Sequence, residues 1–129
     1  MTHGFGIVGT GSIARVHAEA VRGIPNARLV ACCDTVAERA ARFAVEFGCT
    51  PYAEMDAFLG HPGLEIVTIS KPSGAHLEPA VAAEKRGKNV IVEKPLEVTT
   101  ARWDRIIEAA ESSRVLFAGV FPSRLQAVP

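Results

Sequence analysis

The residues Gly9-Thr10-Gly11-Ser12-Ile13-Ala14 have the types and spacing to hold a phosphate. A strand-like apolar run, Phe5 to Val8, leads into them, and a helix-patterned segment leads away. Each small residue has a mechanical reason. Gly9 permits a tight turn, Gly11 lets backbone approach a pyrophosphate, and Ala14 lets the helix lie close on the strand. Free N–H groups at the helix start, around Ser12 and Ile13, combine with the helix dipole to favour an anion. Asp34 stands about twenty residues beyond Ala14, at the end of a second strand-like run, the distance expected of an acid that accepts the ribose hydroxyls of a dinucleotide. The plainer reading of Asp34 is a cap on the helix beginning near Val36. Its negative charge favours NAD; Arg39, one helical turn on, leaves NADP open.

More chemistry gathers where other strand-like runs end. Ser70-Lys71-Pro72-Ser73-Gly74 leads to His76 at a helix start, and Glu93-Lys94-Pro95 follows another run. In an open parallel sheet, ligands bind beyond the carboxyl ends of the strands. Ser70, Pro72, His76, Glu93 and Lys94 are therefore the candidates for the second half of a cofactor site. His76 serves equally well as a partner for backbone groups at a helix start. His3, His17 and His61 read as structural.

The elements that must position these residues alternate regularly. Strand-like runs at 5–8, 28–33, 50–52, 64–70, 89–92 and 115–120 are separated by helical patterns at 12–23, 36–47, 54–59, 76–86 and 100–113. In the first helix Ile13, Val16, Ala20, Val21 and Ile24 recur at helical spacing. In the second, Thr35 and Glu38 have the spacing of a capping box, and Gly48 is placed to end it. Strands alternating with helices specify right-handed βαβ units. The expected class is α/β, a doubly wound parallel sheet of six strands in the order 3-2-1-4-5-6.

Composition excludes other classes. The 129 residues are 48% hydrophobic and 22% charged, with 14 Lys+Arg against 14 Asp+Glu. That balance fits one globular core, and its zero net charge offers no general attraction to nucleic acid. No apolar run approaches the roughly twenty residues of a membrane span. The three cysteines have neither disulfide-framework nor metal-ligand spacing, so free thiols, a cytoplasmic setting and no metal are expected.

The chain resembles the amino-terminal half of the glucose–fructose oxidoreductase / inositol dehydrogenase / rhizopine catabolism (Gfo/Idh/MocA) family. The motifs that carry the resemblance are Gly9 to Ala14 with His17, Asp34, Pro72-Ser73-Gly74-Ala75-His76, and Gly87-Lys88-Asn89-Val90 leading into Glu93-Lys94-Pro95-Leu96. It implies a Rossmann domain over residues 1–120, with 121–129 beginning a linker to a carboxy-terminal substrate domain. It implies an NAD(P)-dependent oxidoreductase that transfers hydride between a nicotinamide and a hydroxyl-bearing carbon of a sugar, cyclitol or similar small molecule. Lys94 would be the catalytic residue, orienting the substrate oxygen. Turnover, and any homo-oligomer, would depend on the missing domain. The alternative is a non-catalytic dinucleotide-binding module or sensor. The Lys94–Pro95 bond is expected to be cis.

Overall fold

The computed structural model describes residues 2–70, 77–93 and 100–120. Six strands run parallel: β1 (His3–Val8), β2 (Ala27–Cys33), β3 (Thr50–Tyr52), β4 (Leu64–Ile69), β5 (Asn89–Glu93) and β6 (Phe117–Val120). Their order is β3-β2-β1-β4-β5-β6. The helices are α1 (Ser12–Arg22), α2 (Ala37–Phe47), α3 (Met55–Leu59), α4 (Leu77–Lys85) and α5 (Thr100–Ser113). This is the sheet order expected from the sequence, with β3 the shortest strand at three residues. Because the strand order reverses between β1 and β4, a crevice opens beyond their carboxyl ends.

Alternation along the strands sorts side chains into two cores. Ile7, Leu29 and Cys32 pack with Ala14, Ala18 and Val21 of α1 and Phe43 and Phe47 of α2. Val8, Cys33, Val67, Ile69, Val90 and Val92 pack with Phe58 of α3, Ala80 and Ala83 of α4 and Ile106 of α5. Phe58 is fully buried, and its transfer from water is worth about 1.5–3 kcal/mol. It can lie over β1 because Gly6 has no side chain. A Cβ there would come within 2.6 Å of both the Phe58 ring and Leu64 Cδ1.

Two local expectations fail. The apolar stripe of α1 that meets the sheet is Ala14, Ala18 and Val21, whereas Ile13, Val16 and Ile24 are exposed. Close approach of this helix to β1 and β2 selects small residues, so the larger aliphatics turn outward. The capping box of α2 is also absent. Val36 is the N-cap residue and no side chain caps the helix from that position. The helix starts one residue later than the box requires, so Thr35 stands before the N-cap, and the Val36 N–H donates to Asp34 Oδ1 at 2.9 Å. Gly48 does end α2, in the left-handed conformation at φ +72°.

Candidate functional site

Three strand ends converge on the glycine turn. The Gly9 N–H donates to the Cys33 carbonyl at 2.8 Å, and the Ser70 N–H donates to the Val8 carbonyl at 2.8 Å. The Asp34 N–H donates to the Tyr52 carbonyl at 3.0 Å. The ends of β1, β2, β3 and β4 are thereby joined at one edge of the sheet. Gly9 has φ +88°, a conformation that L side chains rarely adopt. Gly11 is the N-cap residue of α1 and gives it no side-chain cap. The first N–H groups of that helix, beginning at Ser12, therefore lack the partner that a Ser, Thr or Asp would supply. A Cβ built on Gly11 meets nothing within 4 Å. Open space thus lies against this backbone, as a pyrophosphate cradle requires. Ile13, next along, is 42% exposed.

Asp34 is only 7% exposed, and its carboxylate is held from several sides. Oδ2 accepts the Thr10 hydroxyl at 2.7 Å and the Thr10 N–H at 3.1 Å. Oδ1 accepts the Val36 N–H, and Arg39 Nε lies 3.7 Å from Oδ2. Burial pushes the carboxyl up. Hydrogen bonds from Val36 and Thr10 and the Arg39 charge outweigh it and hold the group below its ordinary value. Asp34 therefore holds the approach to α2 and also anchors the glycine turn.

Among the described residues, neither the Ser70 hydroxyl, just after β4, nor the Thr68 hydroxyl within it has a hydrogen-bond partner, and both are buried. Buried hydroxyls are usually paired, and an orphan at a ligand crevice fits a group that completes it on binding. These hydroxyls, the bare Gly11 backbone and the buried Asp34 together suit a dinucleotide. Thr10 and Thr68 were not singled out by sequence reasoning. The only signal for Thr10 was a hydroxyl between the two glycines of the turn.

Glu93 is the last residue of β5 and its backbone position pairs with Val120 of β6. Pro72, His76, Lys94 and the Lys94–Pro95 bond lie outside the described residues. His3 contacts Glu65 at 3.2 Å and His61 contacts the Tyr52 hydroxyl at 2.7 Å. Cys32, Cys33 and Cys49 are not in disulfides, and Cys32 and Cys33 are buried.

A family model described as "Oxidoreductase family, NAD-binding Rossmann fold" (GFO_IDH_MocA) matches residues 3–120. The chain belongs to the Gfo/Idh/MocA family. Its relatives include an inositol 2-dehydrogenase of Salmonella typhimurium, 37% identical over 121 residues, covering 88% of this chain and 34% of that one. A UDP-N-acetylglucosamine 3-dehydrogenase of Acidithiobacillus ferrooxidans is 31% identical over 113 residues, covering 88% of this chain and 35% of that one. Among solved structures, the WlbA dehydrogenase of Bordetella pertussis, in complex with NADH and UDP-GlcNAcA, is similar with a TM-score of 0.86. Its identity is 27%, over 93% of this chain and 37% of that one. A biliverdin reductase of Synechocystis, in complex with biliverdin and NADP+, is 32% identical with a TM-score of 0.80. That match covers 90% of this chain and 37% of the other. The chain spans about a third of the length of the curated Gfo/Idh/MocA relatives it matches. Among the described residues, no helix is long and apolar enough to cross a membrane.

Proposed function

We propose that this chain is the NAD(P)-binding part of an oxidoreductase acting on a hydroxyl-bearing sugar, cyclitol or similar small molecule. Residues 1–120 form the dinucleotide-binding domain, and 121–129 begin the link to a substrate domain. The observation that carries this reading is the convergence of a bare glycine backbone, a buried carboxylate and two orphaned hydroxyls at the switch point of the sheet. The names of relatives support the substrate class, since they include inositol and UDP-sugar dehydrogenases. Cys32, Cys33 and Cys49, none of them in a disulfide, agree with a cytoplasmic protein.

In this reading the start of α1, around Gly11, Ser12 and Ile13, takes the pyrophosphate on backbone N–H groups and the helix dipole. Asp34 accepts an adenosine ribose hydroxyl. Because it is ionised and buried, it disfavours a 2′-phosphate there, so NAD is the preferred cofactor. Ser70, with Pro72, His76 and Glu93, lines the nicotinamide side. When bound, the cofactor supplies the hydride chemistry. Lys94 is the catalytic residue, an ammonium that orients the substrate oxygen and stabilises the charge developing on it.

The test is a fluorescence titration of the chain with NADH and NADPH, repeated with Asp34→Ala. NADH should bind more tightly than NADPH. The variant should narrow that gap by about 1.5–3 kcal/mol, the worth of a hydrogen bond to a charged group. Equal NADH affinity in the two proteins would remove Asp34 from the site.

A further inference from the structure

We propose that the Thr10 hydroxyl is a placeholder on Asp34 for a ribose hydroxyl, and that it sets both the affinity and the cofactor selectivity of the chain. The inference rests on the dinucleotide reading above and deepens it.

The argument is a count of acceptor sites. A carboxylate oxygen offers two lone-pair positions. Both positions on Asp34 Oδ2 are filled, by the Thr10 hydroxyl at 2.7 Å and the Thr10 N–H at 3.1 Å. Oδ1 accepts one donor, the Val36 N–H at 2.9 Å, and keeps one position open. The residue is 7% exposed, so water has little room to adjust this arrangement. A ribose diol brings two O–H donors. One has a vacant position on Oδ1; the second finds Oδ2 saturated.

Something must then leave Oδ2. The Thr10 N–H is fixed between Gly9, at φ +88°, and the start of α1, and cannot withdraw without remaking the turn. The Thr10 hydroxyl can withdraw by a single χ1 rotation to another staggered well. Binding a diol therefore exchanges one O–H···carboxylate bond for another. Thr10 is thus a positioning residue that acts through Asp34. In the free chain it keeps a buried carboxylate satisfied, at a cost to affinity for any ligand that needs the same oxygen.

Thr10→Val keeps the β-branched shape and the N–H and removes only the hydroxyl. It leaves Oδ2 with an open position, so NADH gains a bond without losing one. A hydrogen bond to a charged carboxylate corresponds to roughly ten- to a hundredfold in affinity. A 2′-phosphate removes one of the two ribose donors, so NADPH gains less and the preference for NADH widens. Thr10→Ser restores the hydroxyl and should restore wild-type behaviour.

The experiment titrates NADH and NADPH into the wild-type chain, Thr10→Val, Thr10→Ser, Asp34→Ala and the Thr10→Val/Asp34→Ala double variant, each checked by thermal melting. The expected result is a roughly ten- to hundredfold tighter NADH complex for Thr10→Val, a smaller gain for NADPH, wild-type behaviour for Thr10→Ser, and no Thr10→Val effect without Asp34. Unchanged or weaker NADH binding by folded Thr10→Val would overturn the placeholder role. So would the same gain in the Asp34→Ala background. A wild-type chain that binds neither cofactor would instead overturn the dinucleotide reading itself, and this inference with it.

Discussion

The Ser70 N–H donates to the Val8 carbonyl at 2.8 Å, which fastens the end of β4 to the residue that opens the glycine turn. The same serine buries a hydroxyl that has no partner among the described residues. The backbone of Ser70 therefore belongs to the fold, while its side chain is available to a ligand. Leaving a buried polar group unpaired costs about 1–3 kcal/mol. Ser70→Ala removes that cost and keeps the backbone bond. Thermal unfolding of the variant is expected to be unchanged or up to a few degrees higher. Titration should show a weaker dinucleotide complex. A lower melting temperature with unaltered binding would assign the hydroxyl to the fold.

Glu84 of α4 carries a different liability. It is fully buried, and neither carboxylate oxygen has a partner among the described residues. Burial pushes its carboxyl up to about 7 from an ordinary value of 4.5. The folded chain thus holds this proton at pH values where the unfolded chain has released it. Stability should fall as pH rises from about 4.5 through 7, and then level off. Glu84→Gln removes that slope. Melting curves of the two proteins are expected to coincide near pH 4.5 and to separate above pH 7, with the variant higher by on the order of 5 °C. Parallel curves across that range would show that Glu84 is ionised in the folded state.

Lys94 tests whether the chain serves catalysis or only binding. In a longer protein that carries these residues and turns over a substrate, Lys94→Ala should lower kcat by roughly 100-fold, with a smaller change in cofactor affinity. The split follows from an ammonium acting on charge that forms only during reaction. Steady-state kinetics with a separate NADH titration measure both. Undiminished kcat would make the lysine structural and favour a binding module.

Much of this was legible in the sequence because it depends on backbone. The alternation of strands and helices dictates the parallel sheet, and Gly9, Gly11 and Ala14 mark the turn that joins β1 to α1. What escaped depends on side-chain neighbours that spacing does not reveal. Ile13, Val16 and Ile24 read as the inner face of α1 because they are large and apolar. The space beneath the helix admits only Ala14, Ala18 and Val21. Thr35 and Glu38 fit a capping pattern, yet α2 begins one residue later, with Val36 at its N-cap. Thr10 lies between the two glycines of the turn, and only the fold brings its hydroxyl to Asp34 from 24 residues away. Glu84 looks like an exposed helix charge until α4 is laid on the sheet.

The most direct test of dinucleotide binding at the turn is Gly11→Ala. Gly11 has φ −88°, which any residue adopts, and an added Cβ meets nothing within 4 Å. The substitution should therefore leave the melting temperature within a few degrees of wild type. The same Cβ would project into the space assigned to the pyrophosphate. NADH titration followed by fluorescence should give saturable binding to the wild-type chain and a loss of at least about tenfold, roughly 1.4 kcal/mol, in the variant. Equal NADH affinity in two equally stable proteins would contradict the account, because the cofactor would then not lie against this turn.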